Sequence, residues 1–97
     1  MLKPSQRAYL RKMAQTITPI FQVGKNGISD NQIEQLKNAL EARELIKIHL
    51  LNTAPADKHT IAEEIAKETN SEIVHVIGNK LTIYKRSINN PKIELPL

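Results

Sequence analysis

The 97-residue chain has no cysteine and no tryptophan, a single phenylalanine, two tyrosines and three glycines. Without cysteine it can form no disulfide, no zinc–thiolate centre and no thiol nucleophile. Its aromatic side chains are Tyr9, Phe21 and Tyr84, too few for a sheet that stacks successive bases on aromatic rings. Phe21 lies in an apolar run and reads as core, which leaves Tyr84 as the aromatic residue considered for base stacking. No apolar run approaches the roughly 18 residues of a membrane span. Met1-Leu2-Lys3-Pro4 opens a polar helix instead of the apolar region of a signal peptide, so a soluble, cytoplasmic protein is expected.

Catalytic chemistry is also scarce. His49, His59 and His75 fall in three different elements with no carboxylate at metal-ligand spacing, and each reads as a surface residue. The spacing Gly-x-x-x-x-Gly-Lys-Ser/Thr of a nucleotide-hydrolysing loop is absent. No enzyme, cofactor or metal site is expected.

What the chain does have is charge in an uneven order. Residues 1–29 carry Lys3, Arg7, Arg11, Lys12 and Lys25 and no acid, a net +5. Residues 30–72 hold nine acids against Lys37, Arg43, Lys47, Lys58 and Lys67, a net −4. Residues 73–97 set Lys80, Lys85, Arg86 and Lys92 against Glu94, a net +3. A fold that joins the two ends would have one strongly positive face, the electrostatic footprint of a nucleic-acid binder. Scattered lysines that only keep a protein soluble are the plainer reading of any one of them.

Hydrophobic periodicity gives the elements, and the composition, 40% hydrophobic and 25% charged, is that of one globular domain. Pro4 and the spacing of Leu10, Met13, Ala14 and Ile17 predict a helix over 4–17, ended by Pro19. Arg7 and Arg11 lie on one face of it, with Lys3 in line. A short strand follows over 20–23. Ser29, with Gln32 three residues later, starts a second helix over 30–42, buried through Ile33, Leu36, Ala39 and Leu40. Residues 45–51 alternate as a strand that buries Ile46, Ile48 and Leu50 and turns Lys47 and His49 to the other side. A loop over 52–57 precedes a third helix over 58–69, whose Glu63, Glu64 and Glu68 look outward. Two strands, 72–77 and 80–85, meet at Gly78-Asn79 as a tight hairpin. The order α-β-α-β-α-β-β makes an α/β domain with a mixed four-stranded sheet packed by helices. Residues 88–97, with Pro91 and Pro96, read as a tail ordered where Ile88, Ile93 and Leu95 find a groove.

Two of the three glycines fall in one stretch, Val23-Gly24-Lys25-Asn26-Gly27-Ile28-Ser29, between the first strand and the second helix. Glycines there let the backbone turn tightly and approach a ligand closely. The helix N-terminus beside them offers N–H groups to an anion, and Lys25 adds a cation. KH domains clamp the backbone of single-stranded nucleic acid with such a Gly-x-x-Gly loop. Taken alone, the same residues fit a strand-to-helix turn that needs glycine for its own geometry, and Asp30 competes with an anion for the helix end.

Read together, several segments resemble the chloroplast RNA splicing and ribosome maturation (CRM) domain family, in particular its stand-alone bacterial YhbY-like members. They are Leu10-Arg11-Lys12-Met13-Ala14, Pro19-Ile20, Val23-Gly24-Lys25-Asn26-Gly27, Ala39-Leu40-Glu41-Ala42-Arg43-Glu44-Leu45-Ile46-Lys47, and Gly78 with Tyr84, together covering about residues 3–86. The resemblance implies a fold similar to the C-terminal domain of translation initiation factor three. It also implies RNA binding through the GxxG loop and association with ribosomal RNA in precursors of the large subunit. Carried onto this chain, Gly24, Lys25, Asn26 and Gly27 form the loop, with Arg11, Lys47 and the hairpin cations Lys80 and Lys85 as flanking phosphate contacts; Arg7 and Lys12 of the basic first helix and Tyr84 as a base-stacking residue complete the RNA contacts expected from the residues themselves. The chain departs from the family in one place: Lys85 stands between Tyr84 and Arg86, and adjacent strand residues face opposite sides, so Lys85 is carried over and Arg86 is not. Residues 1–87 are expected to be the RNA-binding domain and 88–97 its tail. The alternative is a protein-interaction adaptor docking through the acidic third helix or the tail; DNA binding has less support, since no helix-turn-helix spacing is evident.

Overall fold

A computed structural model of the protein describes residues 2–24, 28–51 and 55–97. Its elements are α1 (Pro4–Ala14), β1 (Phe21–Val23), α2 (Asp30–Arg43), β2 (Leu45–Leu50), α3 (Pro55–Thr69), β3 (Glu72–Ile77) and β4 (Lys80–Tyr84), in the order the sequence predicts. The strands form one mixed sheet, β1-β2-β4-β3, with β1 parallel to β2 and the other two pairings antiparallel.

Period-two alternation decides how the sheet is covered. Ile46, Ile48 and Leu50 of β2 and Leu81 and Ile83 of β4 are wholly buried with Leu36 and Leu40 of α2 and Ala62 and Ile65 of α3. The opposite face is covered as well, which the alternation of β2 alone did not require. There Leu45, Tyr84 and Val74 pack with Leu10 and Ala14 of α1. A bulge between Ile73 and His75 breaks the β3–β4 register, and Val74, the residue inside it, belongs to this second cluster.

Helix ends differ from expectation by three residues at two places, and α2 runs one residue past its expected end, to Arg43. α1 stops at Ala14, three residues short of the predicted end. The Lys47 ammonium donates to the Ala14 carbonyl at 2.6 Å, a cation on the negative end of the helix. α3 begins at Pro55, three residues before the predicted start; proline suits a first helical position, where its missing N–H leaves no bond unmade. Ser29 caps α2 as predicted: its hydroxyl accepts the Gln32 N–H at 3.2 Å while Gln32 Oε1 accepts the Ser29 N–H at 2.9 Å.

The last eleven residues carry no regular element but are tied down. Glu44, fully buried, sits at a positive φ of 67° between α2 and β2. Its carboxylate accepts N–H groups from Ser87, Lys92 and Ile93 at 2.6–2.8 Å. Glu41 accepts the Ser87 hydroxyl and the Ile88 and Asn89 N–H groups. Ile93 and Leu95 then pack on the second cluster, whereas Ile88 stays exposed.

Candidate nucleic-acid interface

The strand register places Gln22, His49, Lys80 and Ile77 in one row across the four strands. At about 4.8 Å between strands the row spans roughly 14 Å. Gly24 follows the β1 end of this row and the Gly78-Asn79 turn closes the other. Leu51 N–H donates to the Val23 carbonyl at 2.7 Å and Leu50 N–H to the Asn79 carbonyl at 2.6 Å, so the end of β1, the end of β2 and the hairpin turn are joined at one end of the sheet. Gly78 takes φ 57°, the left-handed region that such a turn requires and glycine adopts freely. Gly24 has no positive φ, is exposed, and a Cβ built on it would meet nothing within 4 Å.

On the α1 face at this end a cleft of about 480 Å³ opens between Arg11 and Ala14 of α1, Gln15 at its C-cap, Lys47 of β2, His75 and Ile77 of β3 and Lys80 of β4. Arg11 and Lys80 are exposed and Lys47 is half-buried. Three cations from three elements thus converge, while Glu63, Glu64 and Glu68 are exposed on α3, across the sheet from α1. Burial holds His75 below the usual imidazole pKa, and the charges of Arg11 and Lys47 lower it further, so the ring is neutral at pH 7. Among the described residues, His75 Nδ1 and Thr82 Oγ1 are buried without a hydrogen-bond partner. Cations so placed can make charge-assisted contacts to a phosphate.

The structure brings some of the expected residues to this place and sends others elsewhere. Arg11 and Lys47 line the cleft together, Gly24 is exposed past the end of β1 at the same end of the sheet, and Lys12 is exposed in the last turn of α1. Lys25, Asn26 and Gly27 lie outside the described residues. Arg7 is occupied: its guanidinium donates to the Ile73 carbonyl at 2.7 Å and holds α1 to β3. Tyr84, expected to stack on a base, is instead 5% exposed in the second cluster. It lies at the Leu45 end of β2, roughly 13 Å along β4 from Lys80, and Ile93 and Leu95 pack on the same cluster. Lys85 shares that far end, where its N–H bonds the Glu44 carbonyl and its charge faces Glu41. Helix α2 also has less to offer an anion than its sequence promised, because the Gln32 N–H is taken by Ser29.

Sequence reading passed over Gln15, His75 and Ile77 as site residues and carried Lys80 only as one of the hairpin cations. Its place beside Lys47 was within reach: in a two-residue hairpin the flanking residues Ile77 and Lys80 pair on one face, and the alternation of β2 sends Lys47 and His49 to a single side. Which side α1 covers was the missing step. His75, expected at the surface, is half-buried because α1 packs against β3.

The CRS1 / YhbY (CRM) domain profile matches residues 2–85. The chain belongs to this family. It is 49% identical to the Bacillus subtilis protein named probable RNA-binding protein YqeI, over 99% of this chain and all of that one. It is 32% identical to a Haemophilus influenzae RNA-binding protein, over 98% and 95% of the two chains. A solution structure of a hypothetical Staphylococcus aureus protein, described as a candidate RNA binder, superposes with a TM-score of 0.86 at 49% identity, covering 99% of this chain and 100% of that one. CRM-family membership thus accords with the α/β order and the mixed four-stranded sheet. No helix among the described residues is long and apolar enough to cross a membrane.

Proposed function

We propose that this chain binds RNA in the cytoplasm without catalysing a reaction, through the loop Gly24–Gly27 and the cationic cleft beside it. Its target in this reading is ribosomal RNA in precursors of the large ribosomal subunit. The observation that carries the proposal is the convergence of Arg11, Lys47 and Lys80, from three separate elements, at the sheet end where Gly24 is exposed. The named RNA-binding relatives support the class of ligand, and the resemblance to YhbY-like proteins supports the ribosomal target. Residues 1–87 supply this surface, and 88–97 form a strap over the far end of the sheet. Phosphate contacts position the protein, and the acidic α3 face turns away from the polyanion.

The test is equilibrium binding to large-subunit ribosomal RNA fragments over a salt series, with Gly27→Asp run beside the parent chain at matched helicity. Contacts from Arg11, Lys47, Lys80 and Lys25 predict that log K falls with log salt at a slope of about −3 to −4, and the variant loses the binding. Absent binding, or binding indifferent to both salt and the variant, contradicts the proposal and favours a protein-interaction adaptor.

A further inference from the structure

We propose that the cleft under the last turn of α1 takes a single unpaired nucleotide of the bound RNA, phosphate toward Arg11 and Lys80 and base against Ile77 and His75. This inference rests on the RNA-binding reading above and specifies which part of the RNA the cleft selects. Phosphate alone needs cations, and this cleft has more than that. One wall is apolar: Ile77, at the end of β3, is 63% exposed, and Ala14 stands on the α1 side. Its volume, about 480 Å³, lies within the range of roughly 300–1,000 Å³ typical of small-ligand sites.

The polar groups suit a base as well. An extruded base is held between apolar or aromatic side chains and read by hydrogen bonds along its edge. The His75 imidazole lines the cleft and is held neutral by burial and by Arg11 and Lys47. A neutral ring has one donor and one acceptor nitrogen, the pair a base edge can use, whereas a charged ring would only add another donor. Among the described residues, His75 Nδ1 and Thr82 Oγ1 both lack a partner, and β4 sets Thr82 opposite Lys47 on one side and His75 on the other. Buried polar groups are otherwise almost always bonded, so a turn of the imidazole toward an incoming base has unused hydrogen-bonding capacity to gain. Lys47 keeps donors for the ligand, since an ammonium has three and Ala14 takes one. Because Tyr84 is buried at the other end of the sheet, base contact falls to this aliphatic and imidazole wall.

The test has two arms, both on the full chain. In the first, 5′-nucleoside monophosphates and inorganic phosphate are titrated separately into isotope-labelled protein and the Ile77 methyl and His75 ring resonances are followed. At least one nucleotide shifts both saturably, and inorganic phosphate moves Arg11 and Lys80 only. Equal shifts with inorganic phosphate, or none with any nucleotide, overturn the proposal. In the second, affinity for a duplex RNA carrying one unpaired nucleotide is compared with that for its fully paired counterpart. The parent chain prefers the former by about tenfold, and Ile77→Ser removes that preference while the salt slope, which counts cations, stays that of the parent chain. Equal binding of the two RNAs by the parent chain sinks the nucleotide pocket alone. Binding to neither RNA sinks this inference together with the RNA-binding reading.

Discussion

Gly24→Ala separates a glycine kept for a ligand from one kept for the fold. At Gly24 the backbone is not in the left-handed region, the residue is exposed, and an added Cβ meets no atom within 4 Å. A methyl group there creates no clash and no strain in the free protein. By restricting the unfolded chain it adds about 0.4–1 kcal/mol of stability, and in a domain of this size 1 kcal/mol moves Tm by about 4–8 °C. The melting temperature therefore stays level or rises by a few degrees. Binding goes the other way. If a phosphate approaches the Gly24 backbone, the methyl group holds it off and weakens a charge-assisted contact of about 1.5–3 kcal/mol, a loss of roughly tenfold to a hundredfold in Kd. Gly24→Asp adds a negative charge at the same place and lowers affinity further. Thermal denaturation by circular dichroism and fluorescence anisotropy with labelled ribosomal RNA read the two effects on one sample. A Gly24→Ala protein that melts several degrees lower, or that binds RNA as the parent does, refutes the reasoning.

Other expectations divide the cations and the strap by role. Arg11→Ala and Lys80→Ala each reduce the salt slope of RNA binding by about 0.7–0.9, whereas Lys85→Ala leaves it unchanged; filter binding over a salt series checks all three. Arg7→Met removes the bond to the Ile73 carbonyl and lowers stability by about 1–3 kcal/mol with little change in that slope, measured by urea denaturation. Glu44→Ala strands three backbone N–H groups and destabilises by about 2–4 kcal/mol, with amide exchange at Ile93 rising as the strap loosens. Acid gives the same segment a pH dependence. The Ile88 N–H, then the Ser87 hydroxyl and Asn89 N–H, hold Glu41 down at about 2, below its ordinary 4.5. Burial raises Glu44, but N–H groups of Ser87, Ile93 and Lys92 outweigh it and leave it lowered as well. Folded pKa values below the unfolded ones stabilise above pH 4.5, and this contribution is lost as pH falls from there toward 2. Amide resonances of residues 87–93 should therefore broaden or shift in that window before the sheet melts, and a strap indifferent to pH 2–4.5 contradicts the assignment.

The elements were legible because this chain states them locally. Ser29 and Gln32 announce the start of α2, Gly78-Asn79 the hairpin, and Ile46, Ile48 and Leu50 the buried face of β2. Of the proposed site, Gly24, Arg11 and Lys47 could be named because each sits in a motif: Gly24 in the glycine loop, Arg11 in the first helix and Lys47 in the segment after α2. Tyr84 and Lys85 were misplaced for a physical reason: periodicity says which face of a strand a residue takes but not which end of the sheet is covered. That depends on α1 and residues 87–97 closing over the Leu45–Tyr84 end, through Glu41 and Glu44 and the second cluster. A buried carboxylate gathering backbone N–H groups from forty-odd residues away leaves no local signature. The bulge at Ile73–His75 is equally silent in sequence, yet it seats Val74 under α1.

Chemical-shift mapping of the labelled full chain with a large-subunit ribosomal RNA fragment tests the account most directly, since it reads every backbone position at once. The account predicts saturable shifts at Gly24, Arg11, Lys47, His75 and Lys80 that weaken steeply with salt, and quiet signals along the outer face of α3 and at Lys85. Shifts centred on Glu63, Glu64 and Glu68 or on residues 88–97, with the glycine end of the sheet unmoved, would contradict it.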